Sequence, residues 1–373
     1  MTSPYRIGAI LTLSGVPGLY GPSCKACLGL AQQELNRLGG FGGRPLEFVF
    51  INGSRNAATV GRDVQAMLDA GVISALIGMH DSDVRNAVAS ANDGRVFYIY
   101  TPSYEGGHQA PGLLTVGETP DQHILPALQW LVKRRNLKRW YFIGNDYRWP
   151  RTLRTYLDHI SDSLGISIVG TEFIEFSHPN YGEYLQAIND TAPDAVFLAL
   201  VGDDAVNFNR EFSAFRFEEP PSRFGPLLEE NTLLAIGDES SNGIFTSGGY
   251  FPSLQYGWNT RFLDKYYAFA GACAPQLNRF SVACYEATHL LKQLYDRGEA
   301  LPAASMPNAI EGATVSSIQG EWRIRQGHVT RNMFLAQASG NDFSVIEDFG
   351  PIDPVAAAST GFTKQPGVMK LLE

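Results

Sequence analysis

The segment Leu76–Gly107, LIGMHDSDVRNAVASANDGRVFYIYTPSYEGG, gathers an imidazole, a carboxylate, hydroxyls and aromatic rings within one short span. His80, Asp81, Ser82, Tyr98, Tyr100, Ser103 and Tyr104 are the residues of interest. Two chemistries suit them. Hydroxyls and tyrosine faces around a helix start can hold a small neutral or anionic polar solute. Ser82 near His80 could also form a nucleophile–base pair, if the turn brings them together.

Val72–Ile77 and Val96–Tyr100 are apolar runs that stop at Gly78 and at Thr101–Pro102, as buried strands do. Between them, Ser82 is placed to cap a helix reaching Asn92. Both strands then end at one edge of a parallel sheet, where open α/β folds bind ligands.

The same alternation runs through the chain. Strands are predicted over 5–13 and 46–52, with helices over 23–38 and 57–70. The pattern restarts after Leu113–Val116, with a candidate crossing at Glu118–Thr119–Pro120. Helices follow over 120–136, 151–164, 181–190 and 204–217, with strands over 139–143, 167–170 and 195–201. Pro226–Leu228 and Phe245–Phe251 read as further strands, the latter near a second crossing. Helices over 260–270 and 280–297 precede short strands over 322–324 and 332–338 at a third crossing. The tail from Asp353 carries few order signals. Strand–helix alternation implies an α/β fold of two doubly wound parallel-sheet lobes with three chain crossings. The expected lobes are 1–118 with 254–325 and 119–253 with 326–373, around a hinged cleft.

The chain of 373 residues is 44% apolar and 18% charged, enough for two ordinary cores. Its net charge of −9 argues against nucleic acid and anionic membrane as partners. No apolar run is long enough to span a membrane. The start, MTSPYRIGAILTLSG, shows no leader pattern, so a cytoplasmic location is expected, with a periplasmic or lipid-anchored one as alternative. Cys24 and Cys27 form a C-x-x-C, but both share a helical face with Leu28, Ala31 and Leu35 and read as core. The seven histidines are scattered, and no zinc, P-loop or G-x-S-x-G motif is present. Gly15–Gly21 has the wrong spacing for a dinucleotide loop. No metal or cofactor is implied.

Four segments resemble the type I periplasmic binding protein family, which includes the Leu/Ile/Val-binding proteins. These are AQQELNRLGGFGGRP (31–45), LIGMHDSDVRNAV (76–88), YTPSYEG (100–106) and GNDYRWPR (144–151). Within the family they are most similar to the amide sensor of aliphatic amidase expression and to urea and short-chain amide transport receptors. The resemblance implies ligand contacts at His80, Ser82, Tyr100, Thr101, Pro102, Ser103, Tyr104, Tyr147, Gly202 and Asp203. Tyr147 would cover the ligand from the second lobe, and Gly202–Asp203 would follow a buried strand. His80 stands where the sensor has a tyrosine, and Pro102 where it has a threonine. Asp203 and Asp204 bring charge that could meet a cationic amine.

Bland roles stand beside these. Ser82 is a helix cap or a ligand contact, His80 a loop or a cleft residue. Trp149 is lobe packing or cleft wall. Asp146 ties down its own turn, and Arg151 belongs to a structural salt bridge. Glu229 and Glu230 follow the predicted strand at 226–228. Three functions compete: a cytoplasmic amide sensor acting on a regulatory protein, the receptor of an ATP-driven importer for urea, amides or branched-chain amino acids, and an amide hydrolase. Non-enzymatic binding is expected, with a homodimer as one further expectation.

Overall fold

The computed structural model describes residues 3–106, 110–297, 303 and 310–354. In the first half, β1 (Tyr5–Leu11) leads through a short 3-10 turn (Val16–Tyr20) to α1 (Gly21–Arg37). Then come β2 (Leu46–Asn52), α2 (Ala57–Asp69), β3 (Ala75–Met79), α3 (Ser82–Asn92), β4 (Phe97–Tyr100) and β5 (Leu113–Thr115). These strands form a five-stranded sheet in the order β2-β1-β3-β4-β5, parallel throughout. β3 is buried at every position, as a central parallel strand covered on both faces must be.

The second sheet is built from α4 (Pro120–Arg135), β6 (Arg139–Asn145), α5 (Arg148–Leu164), β7 (Ser167–Ile174), α6 (Gly182–Thr191), β8 (Ala195–Ala199) and α7 (Gly202–Ala214). β9 (Ser222–Phe224), α8 (Glu230–Ile236), α9 (Asp238–Ser241) and β10 (Ile244–Gly248) continue it. The chain then returns to the first lobe for α10 (Gly257–Ala270) and α11 (Arg279–Asp296), which pack on α1. β11 (Thr314–Ser317), β12 (Gly320–Arg325) and β13 (His328–Val329) make a small antiparallel sheet beside them. Finally β14 (Arg331–Ser339) and β15 (Asp342–Ile352) join the second sheet, whose order is β15-β14-β10-β9-β8-β6-β7.

The α/β architecture of two sheets with three passages between them is as expected, with one difference. The second sheet is mixed, because β14 and β15 form an antiparallel hairpin on its edge. Gly340, at φ 65°, makes the tight turn. β15 carries Gly350 and Pro351, which weaken a strand signature and suit an edge. The predicted 72–77 strand begins instead at Ala75, because Val72 N–H donates to Met67 O and closes the end of α2. Pro226–Leu228 is a turn after β9, not a strand. The tail beyond 354 lies outside the described residues.

The three passages are tied together by buried charge. Gly249 N–H, after β10, donates to Glu118, which follows β5 (3.0 Å). Arg331, opening β14, donates to Val116 O (2.6 Å) and faces Glu286 (3.4 Å). Arg279, opening α11, donates to the carbonyls of Ser247 and Pro226.

Candidate functional site

β3 delivers His80, Asp81 and Ser82 to the sheet edge. The helix cap is Asp81, not Ser82: its side chain accepts from Val84 N–H (2.8 Å) at extended φ and ψ, and Ser82 is the first helical residue. The expectation that Ser82 caps the helix is thus corrected: the cap must stand outside helical geometry, and Asp81 is the residue that does. The Ser82 side chain is thereby released and is almost fully buried. Among the described residues its hydroxyl has no protein partner. Burial raises the Asp81 carboxyl above the usual range.

His80 is consumed internally. Its Nδ1 meets Asp81 O (3.0 Å), and its Nε2 meets the Tyr98 hydroxyl (2.9 Å). A carbonyl only accepts, so Nδ1 carries the proton and Nε2 accepts from Tyr98. Burial pushes the imidazole down to about 4, which keeps it neutral. The Tyr100 hydroxyl donates to His80 O (2.8 Å). With both nitrogens engaged, His80 is no general base for Ser82 in this arrangement, and the hydrolase reading loses its one local candidate pair.

A cavity of about 330 Å³ lies between the lobes. From the first lobe it is lined by the turn around Ser14–Tyr20 and by His80, Asp81, Ser82, Tyr100, Pro102 and Ser103. From the second it is lined by Tyr147, Trp149, Phe176, Ser177, Val201 and Leu227. Tyr147 precedes α5 and packs against Phe176 at 5.4 Å between ring centroids. Trp149 is both wall and packing, since it lies in the core as well as on the cavity. Asp204 fixes the loop behind Phe176. It accepts from Ser177 N–H (3.1 Å), Asn145 (2.8 Å) and the Tyr181 hydroxyl (3.2 Å). The lining includes no lysine or arginine.

Four expected contacts do not line the cavity. The Thr101 hydroxyl turns inward to Gly78 O (3.1 Å). Tyr104 packs on the Arg85 guanidinium (4.6 Å), which is itself held by a buried bidentate pair with Glu105 (both 2.8 Å). Pro102 and Ser103 line the cavity, while Thr101 and Tyr104 on either side of them turn away from it. Asp203 is exposed, because one residue of helix turns a side chain by about 100° and gives the inward position to Asp204. Gly202 sits at the seam instead, its N–H donating to the Tyr20 hydroxyl across the lobes (3.0 Å). Arg148 and Asp83 make a second bridge across it (3.3 Å). Asp146 and Arg151 pair with each other, and Glu229 caps α8. Glu230 is buried but is not a lining residue.

Phe176 and Ser177 had no sequence signal, since β7 was expected to stop at Gly170 and runs on to Ile174. Tyr20 and Phe280 also line it, and the sequence reading singled out neither.

A family model described as periplasmic binding protein matches residues 4–342. The chain belongs to the periplasmic binding protein family. It is of the type I kind. A solute binding protein of an ABC transporter from R. palustris, solved with benzoate, superposes with a TM-score of 0.82 at 19% identity, over 96% of this chain and 99% of that one. An amino acid ABC transporter substrate-binding protein from Pseudomonas fluorescens Pf-5 gives 0.81 at 17%, over 96% and 98%. The branched-chain amino acid binding protein LivJ from Streptococcus pneumoniae, solved with isoleucine, gives 0.79 at 16%, over 94% and 100%. Members of this family bind solutes and are not enzymes. Among the described residues, no helix of this periplasmic binding protein is long and apolar enough to cross a membrane.

Proposed function

We propose that the chain is the substrate-binding receptor of an ATP-driven importer and works in the periplasm with an ABC permease. Its lobes, 1–118 with 254–325 and 119–253 with 326–373, close over one small solute. The observation that carries this is the cavity between the lobes, walled by Tyr100, Tyr147, Trp149, Phe176 and Phe280. Its volume of about 330 Å³ is at the small end of ligand pockets. Aromatic walls suit a flat or branched body, and similar proteins were solved with benzoate, 4-hydroxybenzoate and isoleucine. The polar contacts we assign to Ser82, Ser103 and Tyr147, with His80, Tyr100 and Pro102 as wall.

The cytoplasmic amide-sensor reading rests on motif resemblance alone, and the similar solved proteins favour the importer. Thermal unfolding against amides, urea, leucine and aromatic acids tests the binding. A ligand at about a hundred times its dissociation constant adds roughly 2.7 kcal/mol. Fractionation of the native host separates the two settings: recovery of the protein in the cytoplasm would overturn the importer reading.

A further inference from the structure

The chemistry at the mouth of α3 narrows the class of solute, given the receptor reading above. An anion at a helix start is held by free backbone N–H groups. Here Asp81 takes part of that role from within, since its side chain accepts from Val84 N–H, and Asp81 is itself a residue of the cavity wall. No lysine or arginine lines the cavity to offset it. The nearby Arg85 is taken by Glu105, and Arg148 by Asp83. A carboxylate placed there would face a like charge beside the Asp81 side chain. Ser82, buried beside Asp81 with its hydroxyl unpartnered among the described residues, offers both a donor and an acceptor.

We infer that the cavity selects solutes whose polar head donates N–H hydrogen bonds and carries no negative charge, with Asp81 and Ser82 as the recognising pair. Amides, amidines and amines qualify; the matching carboxylic acids do not. The reason is the asymmetry of hydrogen bonding: a buried acceptor left facing another acceptor is penalised, whereas an N–H head satisfies it. This assigns to Asp81 the task that the sequence suggested for Asp203.

The test uses shape-matched pairs by titration calorimetry: benzamide and benzamidine against benzoate, and isovaleramide against isovalerate. The wild-type chain is expected to bind the N–H member at least tenfold more tightly. Asp81→Asn removes the charge but keeps an equally good cap. It should leave the unfolding midpoint nearly unchanged and shrink that preference by at least tenfold. Tyr147→Ala should abolish the heat of both members, placing them in the cavity. Benzamidine losing more than benzamide in Asp81→Asn would identify a cationic head. Carboxylates binding as well as or better than their partners, with the heat lost in Tyr147→Ala, would overturn this inference and uphold the receptor. A preference that survives Asp81→Asn unchanged would remove Asp81 from recognition. Binding by no member of either series at millimolar concentration would also overturn the inference.

Discussion

Asp81 and Ser82 adjoin in sequence and divide two tasks, capping and contact. Since Asp81 closes the helix start, Ser82→Ala should leave folding stability within about 0.5 kcal/mol. It should weaken solute binding by about 1 kcal/mol, the worth of one hydrogen bond. Chemical denaturation and calorimetry on the same variant separate these, and a large stability loss would return the cap to Ser82. Tyr147→Ala should bring solute binding below calorimetric detection, a loss well beyond tenfold in affinity, with the fold retained. Unchanged affinity would show that this ring does not cover the solute. At this scale the sequence was informative where a residue type is committed by its chemistry. It could not show that His80 and Tyr100 spend their polar atoms on each other's surroundings, because those bonds join strands β3 and β4.

Gly202, at φ 50°, lies so close to the first lobe that an added Cβ would overlap the Val16 carbonyl. Left-handed backbone and a tight approach both require glycine there. Gly202→Ala should therefore hold the lobes apart. Small-angle scattering should show a larger radius than wild type under saturating solute, and affinity should fall. A radius equal to wild type would mean that α7 shifts to absorb the methyl group. This demand was unreadable from the sequence, where Gly202 follows a buried strand like many loop glycines. The long helices were legible from periodicity, to within a few residues at their ends, whereas the short α8 and α9 were not. β15 was not, because its residues alternate only weakly and its partner is supplied by the hairpin.

At the scale of the whole molecule, the passages between lobes are held by opposed buried charges with opposite pH responses. Burial alone would raise the Glu118 carboxyl, but Arg279 and Arg331 outweigh it and hold the group down at about 2. Its contribution is present above the unfolded value of 4.5 and is lost as pH falls toward 2. Glu286 is the reverse. Burial lifts it to about 7 despite Arg331, so the folded chain retains its proton. That contribution is full below 4.5 and is lost as pH rises through 7. Glu286→Gln should flatten the decline in stability between these values, as read by urea unfolding at each pH. A slope unchanged from wild type would show that Glu286 does not titrate there. Glu118→Gln should instead remove part of the acid-side loss and loosen the tie to Gly249.

The amino-acid sequence by itself determined the alternation of strands and helices, the two sheets and the segments that reach their ligand edge. Local periodicity and turn chemistry act within a few residues and need no partner. The cavity was decided only by the tertiary structure. Its walls come from segments far apart in the chain, and a shift of one residue decides that Pro102 and not Thr101 reaches it. The tertiary packing also sets which polar atoms are already satisfied, and therefore which remain for a solute.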